Sequence, residues 1–316
     1  VGMFDVSHMG EFIISGTEAT AFLQKVTIND VRKLKVGEAQ YSAMCYSNGG
    51  IIDDIILYRM EKEYFMVVNA SNIEKDYSWL IENKSKNVIV NNVSEDYSLI
   101  AIQGPKSRDI LSNFSKSNLM LPFYTFKNIN LFGFPVMLSR TGYTGELGFE
   151  IYGKSSSLVP IWDEFINLGV KPAGLAARDI LRMEMKYCLY GNDIDSDINP
   201  IEAGLGWITK FSNQRFIGQK SLEKIKVKGN SKKLIAFIME SRGIPRKGYE
   251  IFINSNKVGI VTSGTQSPKL NIGIGLGYIK YPFYKVGQKI HIKIRDRYID
   301  AKIVKPPFIE KTSLHD

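Results

Sequence analysis

Histidine is scarce in this chain. Only His8, His291 and His315 occur among 316 residues. No two of them have metal-ligand spacing, so no histidine-rich metal site is expected. Serine–histidine–acid chemistry would have to use His8 or His291, and no nucleophile-elbow sequence accompanies either. Cysteine is scarcer still, with only Cys45 and Cys188, both in apolar surroundings. They read as core thiols of a reducing compartment, not as a disulfide framework. No apolar run approaches the ~20 residues of a membrane span, and no signal-peptide pattern opens the chain. A Walker loop is missing. Gly273, Gly275 and Gly277 lack the dinucleotide spacing and lead into the strand-like Tyr278, Ile279 and Lys280, so they do not supply one. The net charge is +9, but its lysines and arginines are scattered, with short pairs such as Arg32-Lys33 and Lys232-Lys233 and no basic block. A nucleic-acid surface would show a clustered stripe. A diffuse basic field fits an anionic small ligand or an acidic partner protein, or simple solubility.

The length suggests two or three domains. The first residue is Val, not Met, and it enters an apolar segment directly, so a preceding segment is expected to be missing. Strand and helix patterns mix through the first two thirds without strict βαβ alternation, which points to α+β. Strands are expected at 9–14, 40–46, 51–60, 64–69, 87–93, 97–103 and through 122–140. Helices are expected after Gly16-Thr17, after Ser71-Asn72, after Pro105, at 156–168 and at 174–188. After Gly206 the texture changes. A short helix at 219–225 precedes six short strands between 233 and 304, the pattern of an all-β barrel or sandwich.

The most informative stretch is Asn48 to Tyr58. It places Asp53 and Asp54 inside a run of isoleucines entered through Gly49-Gly50. A charge buried in such a strand must be paired or hydrogen-bonded. Neighbouring strand residues point to opposite faces, so one aspartate can look into a cavity while the other finds a partner. Two aspartates in succession favour a working carboxylate over a turn-satisfying one. A second stretch runs from Gly174 to Glu184. Helical spacing sets Glu184 on one stripe with Ile180, Leu181 and Cys188, where its carboxylate meets either a protein arginine or the amidine-like edge of a ligand. Asp179 and Arg182 are spaced to pair with each other. A third runs from Thr141 to Glu150, where glycines at every third position let backbone approach something flat and Tyr143 offers an aromatic face. A fourth is Phe4 to Glu11, where His8 reads as a structural group beside Met9. Together these suit a flat, nitrogen-rich ligand with an anionic tail.

These four stretches, with Leu189 to Asp193, Thr262-Ser263-Gly264, Ser267-Pro268 and Lys305 to Phe308, resemble in order the T-protein family, the aminomethyltransferases of the glycine cleavage system. The resemblance implies an α+β, three-domain cloverleaf around a folate channel, with two mixed α/β domains and a C-terminal β-barrel. The domains would be 9–92, 1–8 plus 93–215, and 216–316. It implies transfer of the methylene of the aminomethyl-lipoyl arm of H-protein to tetrahydrofolate, giving 5,10-methylenetetrahydrofolate and ammonia. Asp53 would be the catalytic group. Met9, Tyr41, Asp53, Tyr143, Glu184 and Arg215 would bind folate, with Glu184 on the pterin edge. Tetrahydrofolate is then the co-substrate, no metal is needed, and lipoylated H-protein is the partner of a monomer. The location would be cytoplasmic, or mitochondrial in a eukaryote. The alternatives are a folate-dependent demethylase and a non-enzymatic folate-binding relative, whose Lys-Gly-Cys-Tyr-x-Gly-Gln-Glu signature is missing here. Three departures stand out. The family carries several dozen residues before the Val1 stretch. Arg215 is displaced by one position, with Gln214 in its place. No tyrosine follows Phe308.

Overall fold

The structure is a computed structural model that describes residues 1–115, 118–211 and 216–316. Three β-structures carry it. The first is a five-stranded antiparallel sheet in the order Ala39–Cys45, Ile51–Arg59, Tyr64–Val68, Gly10–Ser15 and Ile89–Asn92. Helices Ala19–Val26 and Ile73–Asn83 flank it. Phe12, Leu23, Leu57, Met66 and Leu80 belong to one core, where apolar burial supplies the driving force. The hairpin at its edge turns through Gly49, whose φ is 93°. The next position also has to be glycine, because a Cβ on Gly50 would lie 1.8 Å from the Ser196 carbonyl oxygen.

That hairpin is not regular. Asp53 pairs with Met44, but Ile51, two residues earlier, pairs with Cys45, so Ile52 is an extra residue in the ladder. Such a bulge re-aims the side chains beside it. Ile52, Ile55 and Leu57 join the helix-side core, whereas Ile56 and Tyr58 join the opposite face. Asp54 shares the parity of Ile56 and so faces away from the helices.

The second sheet has the order Lys171–Pro172, Gly2–Asp5, Ser98–Gln103, Gly148–Gly153, Phe134–Ser139 and Phe126–Leu131. Residues 122–140, expected as one strand-like stretch, form a hairpin, because Phe132 and Gly133 both take positive φ. Helices Ser107–Ser112 and Ser155–Asn167 flank this sheet, and Ile161 and Phe165 are in its core with Met3, Ile102 and Phe149. The inner faces of the two sheets meet through Phe4, Tyr58, Phe65, Val67, Leu99 and Tyr152.

The third structure is a closed six-stranded barrel: Lys232–Met239, Ile272–Lys280, Asn256–Ser267, Glu250–Ile253, Lys289–Ile294 and Arg297–Val304 around the ring. Helix Gln219–Lys228 precedes it. Closure leaves no free sheet edge. Residues 185–211 run irregularly between the units. Their Ile194, Ile198 and Ile208 join one core with Cys45 of the first sheet and Leu234, Leu276 and Tyr278 of the barrel. Both cysteines are free and buried.

Two buried networks fasten the units. Arg182, 1% exposed, donates to Asp193 at 2.6 Å and to Ser263 of the barrel at 2.9 Å, and Thr262 and Ser263 donate to the other Asp193 oxygen. The expected Asp179–Arg182 pair also forms, at 2.8 Å. Beyond the barrel, residues 312–314 return to the second unit. The Ser313 hydroxyl donates to Glu146 at 2.6 Å and accepts from the Leu147 amide at 2.9 Å, while Arg140 donates to the Leu314 carbonyl at 2.6 Å. Among the described residues, no helix is long and apolar enough to cross a membrane.

Candidate active site

The two sheet units and the connecting segment around 185–207 enclose a cavity of about 590 Å³. On one wall, Asp54 accepts from the Tyr41 hydroxyl at 2.9 Å and from the Asn69 side-chain amide at 2.8 Å. Burial and then the neighbouring Asp53 charge push its carboxyl up to about 7, while the bonds from Tyr41 and Asn69 oppose that rise. Asp54 therefore both holds and yields a proton near neutrality.

The structure corrects the expectation for Asp53. Strand alternation sets its carboxylate with Ile55 and Leu57 on the helix face, where it is fully buried and does not line the cavity. Its oxygens accept from the Asn69 backbone amide at 2.9 Å, the Asn69 side chain at 2.8 Å and the Asn72 side chain at 2.7 Å. Beneath it sits Asp76, a fully buried carboxyl that in its protonated form hydrogen-bonds to Asp53. Burial and the Asp53 charge raise it well above the usual carboxylate range.

The opposite wall carries Glu150, 5% exposed, which accepts from Thr141 at 2.5 Å and from Tyr152 at 3.4 Å. Glu150 lies within a motif singled out in the sequence, yet no role was expected of it. The same is true of Arg178. It lines the cavity from helix Leu175–Glu184, half-buried, with its guanidinium 4.5 Å over the Tyr143 ring. His8 is also on this wall, not a purely structural group. Partial burial and then Arg178 lower its proton affinity, and Asp5 works against them.

Met9, Tyr41 and Tyr143 line the cavity. Tyr143 donates to the Cys188 carbonyl and stacks on Tyr187 at 5.7 Å. Tyr41 stacks on Trp207 at 6.2 Å, and Trp207 is 64% exposed. Burial raises the Tyr41 and Tyr143 hydroxyls, so they stay neutral donors. The flat group met by Gly142 and Gly148 is the Gln103 side-chain amide, which a Cβ at either position would strike at 2.2 or 2.4 Å.

Glu184 does not face the cavity. The helix expected to continue to 188 stops at Glu184, because Lys186 takes a φ of 62°. Glu184 accepts from Ser267 of the barrel at 2.5 Å, and Cys188 leaves the stripe to line the cavity with its neighbours Tyr187 and Leu189. Arg215 lies outside the described residues. Asn69, which touches both aspartates, was also not expected, and only its distance from them in the fold could reveal it.

Comparison with known proteins gives one consistent result. Residues 1–213 match the GCVT N-terminal domain family, and residues 232–310 match the glycine cleavage T-protein C-terminal barrel domain. The chain is 49% identical over 314 residues to an aminomethyltransferase of Halothermothrix orenii, covering 98% of this chain and 88% of that one. It is 49% identical over 319 residues to an aminomethyltransferase of Flavobacterium psychrophilum, with the same coverage. Among solved structures it is similar to glycine cleavage system aminomethyltransferase T from Bartonella henselae. That likeness has a TM-score of 0.91 and 30% identity, over 98% of this chain and 87% of that one.

Proposed function

The chain belongs to the glycine cleavage T-protein family and is an aminomethyltransferase. From that premise we propose that it moves the methylene of an aminomethyl-lipoyl H-protein onto tetrahydrofolate inside the 590 Å³ cavity. The observation that carries this reading is the arrangement of Asp54 and Glu150 on one buried cavity with Arg178 on its wall.

A reduced pterin presents a guanidine-like edge of N–H donors, and Glu150 is a buried acceptor matched to it. The glutamyl tail of folate is anionic, and Arg178 is the half-buried cation available to it. With the ring so placed, the pterin nitrogens fall to Asp54. Two bonds form, from carbon to N5 and to N10. Two bonds break, from carbon to the lipoyl sulfur and to the amino nitrogen. The protons lost by N5 and N10 end on the sulfur and on ammonia. Asp54 titrates near neutrality and is suited to take and return such a proton, and its charge offsets the cation formed on the attacking nitrogen. Tyr41 holds it in place. The cavity keeps both reactants in reach and excludes water.

The cavity of residues 8–207 would bind folate and the barrel would brace helix Leu175–Glu184 behind it, in a monomer working in the cytoplasm beside lipoylated H-protein. The test is single-turnover release of ammonia from aminomethyl-lipoyl H-protein with and without tetrahydrofolate. Glu150→Gln should raise the tetrahydrofolate KM at least ~10-fold, as loss of a charged hydrogen bond does. Ammonia release that ignores folate, or a KM untouched by this change, overturns the reading.

A further inference from the structure

The mechanism leaves Asp53 without a task, yet it is the most enclosed charge near the cavity. It accepts three hydrogen bonds, and two of them come from Asn69. The same Asn69 nitrogen that donates to Asp53 Oδ1 at 2.8 Å donates to Asp54 Oδ1 at 2.8 Å. That nitrogen carries two hydrogens; its two short bonds go to the two carboxylates and a longer one, 3.2 Å, to the Asp54 carbonyl, so it ties both side chains to one amide. Asn69 also lines the cavity.

We propose that Asp53 is the positioning residue for Asp54, acting through the shared Asn69 amide and as a fixed negative charge behind the reacting carboxyl. The inference rests on Asp54 being the reacting group. The surroundings isolate this effect. Tyr41 from the adjacent strand, Tyr124 and Tyr143 from the second unit, and Cys188 from the connecting segment face Asp54, and burial keeps all four protonated. Asp76, below, is held protonated by burial and by Asp53 itself. Lys75 spends its ammonium on the Ile52 carbonyl at 2.5 Å and the Tyr190 hydroxyl at 3.0 Å. Asp53 is thus the anion left to bias its neighbour. Removing its charge makes Asp54 a stronger acid.

The test is the pH profile of kcat/KM for tetrahydrofolate with aminomethyl-lipoyl H-protein. Asp53→Asn should move the limb belonging to Asp54 toward acid by about one pH unit and lower kcat about 10-fold, with the tetrahydrofolate KM within about 2-fold. Asn72→Ala removes a donor that touches Asp53 and not Asp54. The Asp53 charge then stays and is less compensated, so the same limb should move the opposite way, toward alkali, by about half as much, and this variant serves where Asp53→Asn does not fold. A limb that stays in place in a folded variant overturns the inference, whatever happens to Tm. Asp54→Asn separates the two readings. Should it keep the parent rate, the assignment of Asp54 fails. Should it be inactive while both Asp53→Asn and Asn72→Ala keep the parent limb, only the role of Asp53 fails.

Discussion

Two buried polar clusters hold the middle of the molecule, and they are built on opposite terms. The Arg182–Asp193 cluster pairs cation with anion, and serine and threonine hydroxyls satisfy the oxygens that remain. The Asp53–Asp54–Asp76 cluster collects three carboxyls. Its nearest ammonium, Lys75, is 3.9 Å from Asp76 and bonds elsewhere. The first arrangement fixes geometry and leaves no proton to move. The second keeps carboxyls at the edge of protonation, which costs stability and supplies chemistry. The difference teaches which charges hold the molecule and which do its work.

The comparison breaks most visibly at the paired cluster. Asp193→Asn should cost roughly 3–5 kcal/mol in urea unfolding, because it strands a buried guanidinium. The folded fraction should keep its turnover. Replacing both partners with apolar residues should return much of that loss, and no recovery would mean the pair is not an isolated unit. Next comes Asp54→Asn, for which kcat should fall ~10²–10³-fold, about 3–4 kcal/mol of barrier. Its Tm should hold or rise, since a crowded anion is gone. A lower Tm with intact kcat would reverse the assignment of the two clusters.

A third, smaller effect concerns Glu11, fully buried with neither oxygen partnered among the described residues. Burial pushes its carboxyl from 4.5 up to about 8. The folded chain therefore holds a proton that the unfolded chain releases, so stability falls as pH rises between those values. Glu11→Gln should flatten that fall and gain about 2.5 kcal/mol on the parent at pH 7 relative to pH 5. Parallel curves for the two proteins would show Glu11 already ionised. The smallest effect is at the rim. Trp207→Ala removes the exposed ring stacked on Tyr41 and should raise the folate KM by a factor of about 5, near 1 kcal/mol, with kcat little changed.

Much of this could be read before any coordinates. The barrel strands follow from their even spacing and turn residues, and the aspartate pair from its apolar setting. Alternation puts the two on opposite faces, but which face meets the cavity could not be read, because it depends on where the helices and the second sheet pack. Glu184 took its expected pterin contact from the family resemblance, whereas its stripe with Cys188 came from helical periodicity carried four residues past the helix end, beyond the left-handed Lys186. Glu150 and Arg178 sat in recognised motifs, but their common cavity forms only when sheet and helix are brought together. Cys188 left its predicted stripe for the same reason.

Residues 312–314 leave the ribosome after nearly everything they brace. Until they emerge, the Leu147 amide and the Arg140 guanidinium await their last partners, and the loop bearing Tyr143 is unbraced. A copy cut short before Thr312 should therefore be readily nicked between 141 and 147.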